Sequence, residues 1–353
     1  AEPSISGGQS TPPSERTAGM GAQAKKKGPA KGGKGGRKKQ AGEAAPSWAL
    51  EQLALEQNAG DAEADSLPKS ASEALEAVAS SSPEALAALL AQWGASDLEL
   101  ATQALARAAR LTKQSSQRPG LVRGGIAPAC VAAMATHLRT PALQHDGCAA
   151  LGGAALGAAE GRASVCAAGG AGAVVAAMRA HGEVASVQER GCWALRQMAL
   201  GGAEPQALVL EAGGAAAVIA AMRAHADSQA VVQEGCSALG NMAGADLPSQ
   251  RAVLAAGGAA AAVGALVGTH GGIAAVAAQA IGALGNLAGG DEACQRGALE
   301  AGAAAAVVAA LTAHPDAPSV QQGGRVALAN MAWGDGVMRE QVLAAGAKAE
   351  WLS

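Results

Sequence analysis

Apolar and small residues recur along this chain in blocks, each ending in a version of A-L-x-N-M-A. The clearest copies are SVQERGCWALRQMALGG from Ser186, AVVQEGCSALGNMAGAD from Ala230, AVAAQAIGALGNLAGGD from Ala275 and SVQQGGRVALANMAWGD from Ser319. A weaker copy, ALQHDGCAALGGAALGA, starts at Ala142. Their leucines Leu151, Leu195, Leu239, Leu284 and Leu328 lie 44, 44, 45 and 44 residues apart. Counted from Val187, Val231, Val276 and Val320, Gly or Ala stands at +4, Leu at +8 and Met or Leu at +11. At about 100° per residue those positions span roughly 80°, so they form one buried stripe on a helix.

The segments between blocks predict two more helices per unit. A short one ends in a Gly turn, as in Val165–Gly170, Val209–Gly214, Val253–Gly258, Ala298–Ala303 and Val342–Ala347. Glycine there suits a left-handed cap that reverses the chain. A second helix follows, ending at His181, His225, His270 or His314. Three helices repeating at this period predict a stacked helical array. A helix is also expected at Ser47–Gln57, and a degenerate unit over 72–117, with Pro83 just inside a helix start.

These residues resemble the armadillo (ARM) repeat family, whose units read short helix, Gly turn, second helix and a long third helix with V-Q-x-x-A-x-x-A-L-x-N-L-A. The resemblance covers Pro119–Ser353 well and Ser72–Gln117 weakly. It implies an all-α fold: a right-handed α-solenoid of about five to six armadillo-type three-helix repeats, preceded by a disordered basic tail. The expected divisions are a Gly/Pro/Lys-rich tail at 1–47, an N-terminal helical cap and degenerate repeat at 48–117, and the array at 118–353 with its last repeat incomplete. The chain starts without Met and stops soon after a new repeat begins, which reads as a segment or processed product.

Positions +3, +6 and +10 of the block are expected to face away from the core. In armadillo proteins the third helices line a concave groove where Asn hydrogen-bonds the backbone of an extended peptide, and Asn241, Asn286 and Asn330 match that position. A carboxamide offers both donor and acceptor, so it pairs with peptide groups whatever their side chains. Gln197 is a partial match and Gly153 breaks the row. The alternative is that these amides satisfy neighbouring helix-end carbonyls. The expected groove comprises Arg190, Trp193, Arg196, Gln197, Glu234, Asn241, Gln279, Asn286, Gln322, Asn330 and Trp333. The family's nuclear-import receptors add a Trp row at +6; here Trp193 stands alone in that column, against recognition of a basic import signal.

Charge and composition change the picture in two places. The net charge of −3 divides into +6 over residues 1–47 and −9 over the remainder. The tail carries Lys25, Lys26, Lys27, Lys31, Lys34, Arg37, Lys38 and Lys39, a candidate for weak contact with nucleic acid or an anionic surface, though without aromatics for base stacking. The core contains no Phe or Tyr and is built from Ala, Gly, Leu and Val.

Recurrent His137, His181, His225, His270 and His314 suggest metal at first sight. Each is expected to end a second helix, near the last carbonyls, with its neighbours about 10 Å away in adjacent repeats. Bonds to zinc of about 2 Å exclude sharing at that distance. Of six cysteines, Cys148, Cys192 and Cys236 occupy one repeat position, and the set reads as reduced buried thiols. No phosphate-loop, nucleophile-elbow or zinc-protease motif occurs, and neither a signal peptide nor a membrane span is apparent. The expected function is a non-enzymatic interaction scaffold without cofactor or metal, binding a protein or peptide segment, cytoplasmic or alternatively nuclear. Rival readings are a regulatory armadillo region of a larger kinase or ubiquitin ligase, and a tail-driven RNA-associated factor.

Overall fold

The computed structural model describes residues 68–334 and 336–352. The basic tail and the helix expected at Ser47–Gln57 lie outside the described residues. Helices α1 (Ala71–Val78), α2 (Pro83–Trp93) and α3 (Leu98–Leu111) form the first unit. The next units are α4 (Arg118–Arg123), α5 (Ile126–Thr136) and α6 (Pro141–Ala155), then α7 (Ala159–Ala167), α8 (Gly170–Ala180) and α9 (Ala185–Met198). They continue with α10 (Ala203–Glu211), α11 (Gly214–Ala224) and α12 (Gln229–Met242), and with α13 (Leu247–Ala255), α14 (Gly258–Val267) and α15 (Ala274–Ala288). The last complete unit is α16 (Glu292–Glu300), α17 (Ala303–Ala313) and α18 (Pro318–Met331), after which α19 (Gly336–Ala344) begins another. No strand occurs among the described residues, and the described region is an all-α solenoid.

Helix starts follow local chemistry. Ser82 caps α2 by accepting from the Ala85 N–H at 3.1 Å, with Pro83 at the first helical position as expected. Asp246 and Asp291 cap α13 and α16 through the Ser249 and Cys294 amides at 2.9 and 3.0 Å. First and second helices meet at Gly169, Gly213, Gly257 and Gly302, whose φ of 75° to 91° is the left-handed region that glycine tolerates. The resulting bends are 66°, 65°, 65° and 66°, so one turn type sets the geometry of four successive repeats. No single helix among the described residues is long and apolar enough to cross a membrane.

Each third helix packs on the next, and the stripe read from the sequence is the core. Leu151, Leu195, Leu239, Leu284 and Leu328 are all fully buried, as are Met198, Met242, Leu287 and Met331. The +4 position stays small because a second-helix side chain fills it. A Cβ on Gly235 would sit 2.5 Å from Met222 Cγ, and one on Gly324 would sit 2.6 Å from a Leu311 methyl.

Buried backbone groups at the repeat junctions need partners. His137, His181, His225 and His314 are C-caps of their second helices, as expected, but their rings reach further than their own helix ends. Their Nε2 atoms hydrogen-bond the Gly94, Leu138, Gly182 and Gly271 carbonyls of the preceding unit at 2.9, 2.7, 2.7 and 2.8 Å. Expected at their own helix-end carbonyls, these rings join repeat to repeat instead. Gln188 Nε2 closes the α8 end by donating to the Met178 and His181 carbonyls at 2.9 and 2.8 Å, and Gln144 and Gln321 do the same for α5 and α17.

Candidate partner-binding groove

The third helices present a continuous face whose side chains come from the positions flanking the buried stripe. Asn286 is exposed on that face, and Asn241 and Asn330 are half-buried there. Each donates one Nδ2 hydrogen across a repeat junction: Asn241 to the Arg196 carbonyl at 3.1 Å, Asn286 to Gly240 at 2.9 Å and Asn330 to Gly285 at 2.9 Å. Each acceptor immediately precedes the counterpart position in the repeat before. The helix-end alternative therefore describes one of the amide hydrogens. A carboxamide has a second N–H and two oxygen lone pairs, and no donor among the described residues reaches these three Oδ1 atoms.

A second set of amides, overlooked in the sequence reading, grips the same positions from behind. Gln206, Gln250 and Gln295 on the first helices donate Nε2 to the main-chain carbonyls of Asn241, Asn286 and Asn330 at 2.7, 3.0 and 2.9 Å. Gln206 also accepts from the Ala245 N–H at 3.1 Å. Their signal was present in the sequence, since these glutamines recur at the repeat interval in PQALVLE, SQRAVLA and CQRGALE. Each ladder asparagine is thus held by its main chain within its repeat and by its side chain to the repeat before.

Gln197 is a correction to the expected face. It is 3 % exposed, and its amide oxygen, assigned by hydrogen bonding, takes the Arg196 Nε and Nη2 hydrogens at 3.2 and 3.0 Å. The longer Gln side chain folds under the adjacent guanidinium instead of projecting. Ser237 at +6 is also buried, against expectation, and donates its hydroxyl to Gln279 Oε1 on the following third helix at 2.7 Å. At Gly153 the ladder is broken sterically, because the side chain of Thr112, the C-cap of α3, occupies the space of a Cβ.

Around α9 and α12 the face is charged. Arg190 Nη2 lies 3.3 Å from Glu189 Oε1, and Arg196 Nε lies 3.2 Å from Glu234 Oε2. That second contact is an ion-pair distance without hydrogen-bond alignment, so Glu234 Oε2 is buried and unsatisfied. Burial raises the Glu234 carboxyl above the usual glutamate range; Arg196 opposes the shift, Glu189 adds to it and Arg190 opposes it. Trp193 is half-buried, its ring laid against Gly152, where a Cβ would stand 2.5 Å from Cζ3. The indole walls a cavity of about 220 Å³ shared with Arg110, Lys113, Asp146 and Arg190. Gln279 and Gln322 are exposed on α15 and α18, and Trp333, 77 % exposed, borders a shallow cleft with Val326 and Asn330.

Other expected chemistry sits elsewhere. Cys148, Cys192 and Cys236 are buried in one column, and burial pushes the Cys148 and Cys236 thiols up to about 12. No group of three His, Cys, Asp or Glu side chains among the described residues is arranged to hold a metal ion.

The family model described as LRRK2 ARM repeat matches residues 166–350. No curated protein sequence matches the chain at a significant level. Among solved structures, an engineered protein is 26% identical with a TM-score of 0.62, over 72% of this chain and 100% of that one. A designed armadillo repeat protein in complex with the peptide (KR)4 is 21% identical with a TM-score of 0.61, over 71% of this chain and 100% of that one. Another designed armadillo repeat protein gives 21% and 0.60, over 69% and 98%.

Proposed function

The chain belongs to the LRRK2 ARM repeat family, and from that premise we propose that it is an interaction scaffold that binds an extended protein segment along its third-helix face. The observation that supports this most is the row of Asn241, Asn286 and Asn330. One hydrogen of each amide is spent on the neighbouring repeat, which restrains the carboxamide and leaves its oxygen and second N–H without a partner among the described residues. Pre-oriented groups lose little conformational freedom on binding. The fold likeness to a designed armadillo protein carrying a bound peptide fits the same reading.

In this reading the amides capture the main chain of the partner. Arg190 and Trp193, with the partly exposed Glu234 beside them, then choose among side chains.

The test is panning of a random linear-peptide library against the full chain, with recovered peptides titrated by fluorescence anisotropy. Affinity should fall in Asn241→Ala/Asn286→Ala. It should hold in Gln206→Ala/Gln250→Ala, which removes bonds of comparable length within the repeats and leaves the ladder amides in place. Equal losses in both double variants, or recovery of no peptide, contradict the proposal.

A further inference from the structure

One junction of the histidine ladder is open. In the bonds of His181, His225 and His314 the acceptor is the residue following the histidine of the repeat before: Leu138, Gly182 and Gly271. By that rule His270 should bond the Ala226 carbonyl, yet its Nε2 is buried and has no hydrogen-bond partner. The cause is one inserted residue. Where other repeats read M-A-T-H, M-R-A-H or L-T-A-H, this one reads L-V-G-T-H over Leu266–His270, which makes the 45-residue interval. Helix α14 accordingly stops at Val267 and Gly268 turns extended, so His270 is not a helix C-cap like the other four.

A cavity of about 360 Å³ opens at that junction, and both His270 and Ala226 line it. Met222, Val232 and Ala265 supply an apolar wall, with Arg223 and Thr269 beside them. Val232 stands where Gln188 and Gln321 stand in other repeats, so the carbonyls at the end of α11 lack that clamp as well. Arg223, exposed at the cavity rim, has no ion pair among the described residues, and no acidic side chain lines the cavity. The volume and the mix of apolar wall with few polar groups suit a small-molecule site, for which about 300–1,000 Å³ is usual.

We propose that this cavity binds a small amphiphilic carboxylate, separately from the third-helix face. The apolar body packs on Met222 and Val232, and the carboxylate pairs with Arg223. The charge follows from a lone guanidinium without an acid. The need for an acceptor follows from the ladder: carbonyl oxygens only accept, so the other four rings carry their hydrogen on Nε2. His270 in that same form donates to a carboxylate oxygen in place of the Ala226 carbonyl, once a turn of its ring brings Nε2, inaccessible in the unliganded chain, to the cavity it lines.

The test uses decanoate and decanol, below their aggregation limits, titrated calorimetrically into the full chain. Decanoate should bind saturably and decanol at least about tenfold more weakly, as loss of a charge-assisted hydrogen bond predicts. Gly264→Leu, which fills the cavity from a position with nothing within 4 Å of its Cβ, should abolish binding without lowering the melting temperature. Deletion of Gly268 should also abolish it by restoring the ladder register, and His270 Nε2 should shift in the NMR spectrum of the wild-type complex. Absence of saturable decanoate binding, equal binding of decanol, or unchanged binding in a folded Gly264→Leu variant overturns the proposal.

Discussion

Asn286 donates its side-chain amide to the Gly240 carbonyl at 2.9 Å, joining the ends of two successive third helices. The same residue offers its main-chain carbonyl to Gln250 at 3.0 Å. Asn286 thus ties its repeat together through its main chain and to the repeat before through its side chain. Asn286→Ala should lower stability by about 1 kcal/mol, the usual worth of one such bond. Urea melts would show it as a shifted midpoint at unchanged slope. Faster hydrogen exchange should be confined to the ends of α12 and α15.

The histidine ladder predicts a contrast between chemically identical substitutions. His181→Ala removes a 2.7 Å bond to the Leu138 carbonyl and should cost about 1 kcal/mol or more. His270→Ala removes an Nε2 that bonds nothing and should cost clearly less. Equal losses in the two variants would show that ring packing, and not the junction bond, is what the histidines contribute.

Glu234 gives a pH signature. Because its folded pKa is raised, mainly by burial, the folded state holds the proton more tightly than the unfolded chain. The contribution to wild-type stability therefore falls as pH rises from the ordinary glutamate range through the raised value. Glu234→Gln should be the more stable protein at about pH 7, and the advantage should vanish at about pH 4, where the native carboxyl is protonated. A Gln variant less stable at both pH values would mean that the Arg196 pairing outweighs burial.

Gly152 seats the Trp193 indole, and the added methyl of Gly152→Ala has no room at 2.5 Å from Cζ3. Overpacking of this kind costs about 1–3 kcal/mol. Since the chain has five tryptophans, labelling with 5-fluorotryptophan gives a resolved readout. One fluorine signal, that of Trp193, should move strongly in the variant while Trp93 and Trp351 stay in place.

The parts of this fold that depend on periodicity were legible in the sequence. Leu239 and Met242 point inward because 3.6 residues make a turn, and Gly213 reverses the chain because glycine tolerates its φ of 84°. What was not legible depends on reach across repeats. His181 meets a carbonyl 43 residues away, and no local rule gives the direction of its ring. Gln197 shares the Asn column but is one methylene longer, and that allows it to turn back under Arg196. The insertion at Gly268 was visible as an interval of 45 residues, but its effect, an unpartnered His270, required the neighbouring repeat in place.

Whether the ladder amides face a bound segment is directly measurable because of the chain's composition. The sequence contains four asparagines, Asn58, Asn241, Asn286 and Asn330, three of which form the ladder. Selective ¹⁵N-asparagine labelling therefore yields four side-chain amide signals, titrated with a peptide recovered by panning. The account predicts that the signals of Asn241, Asn286 and Asn330 shift together and saturate at one equivalent of peptide. Saturable binding that leaves all three unmoved would contradict it.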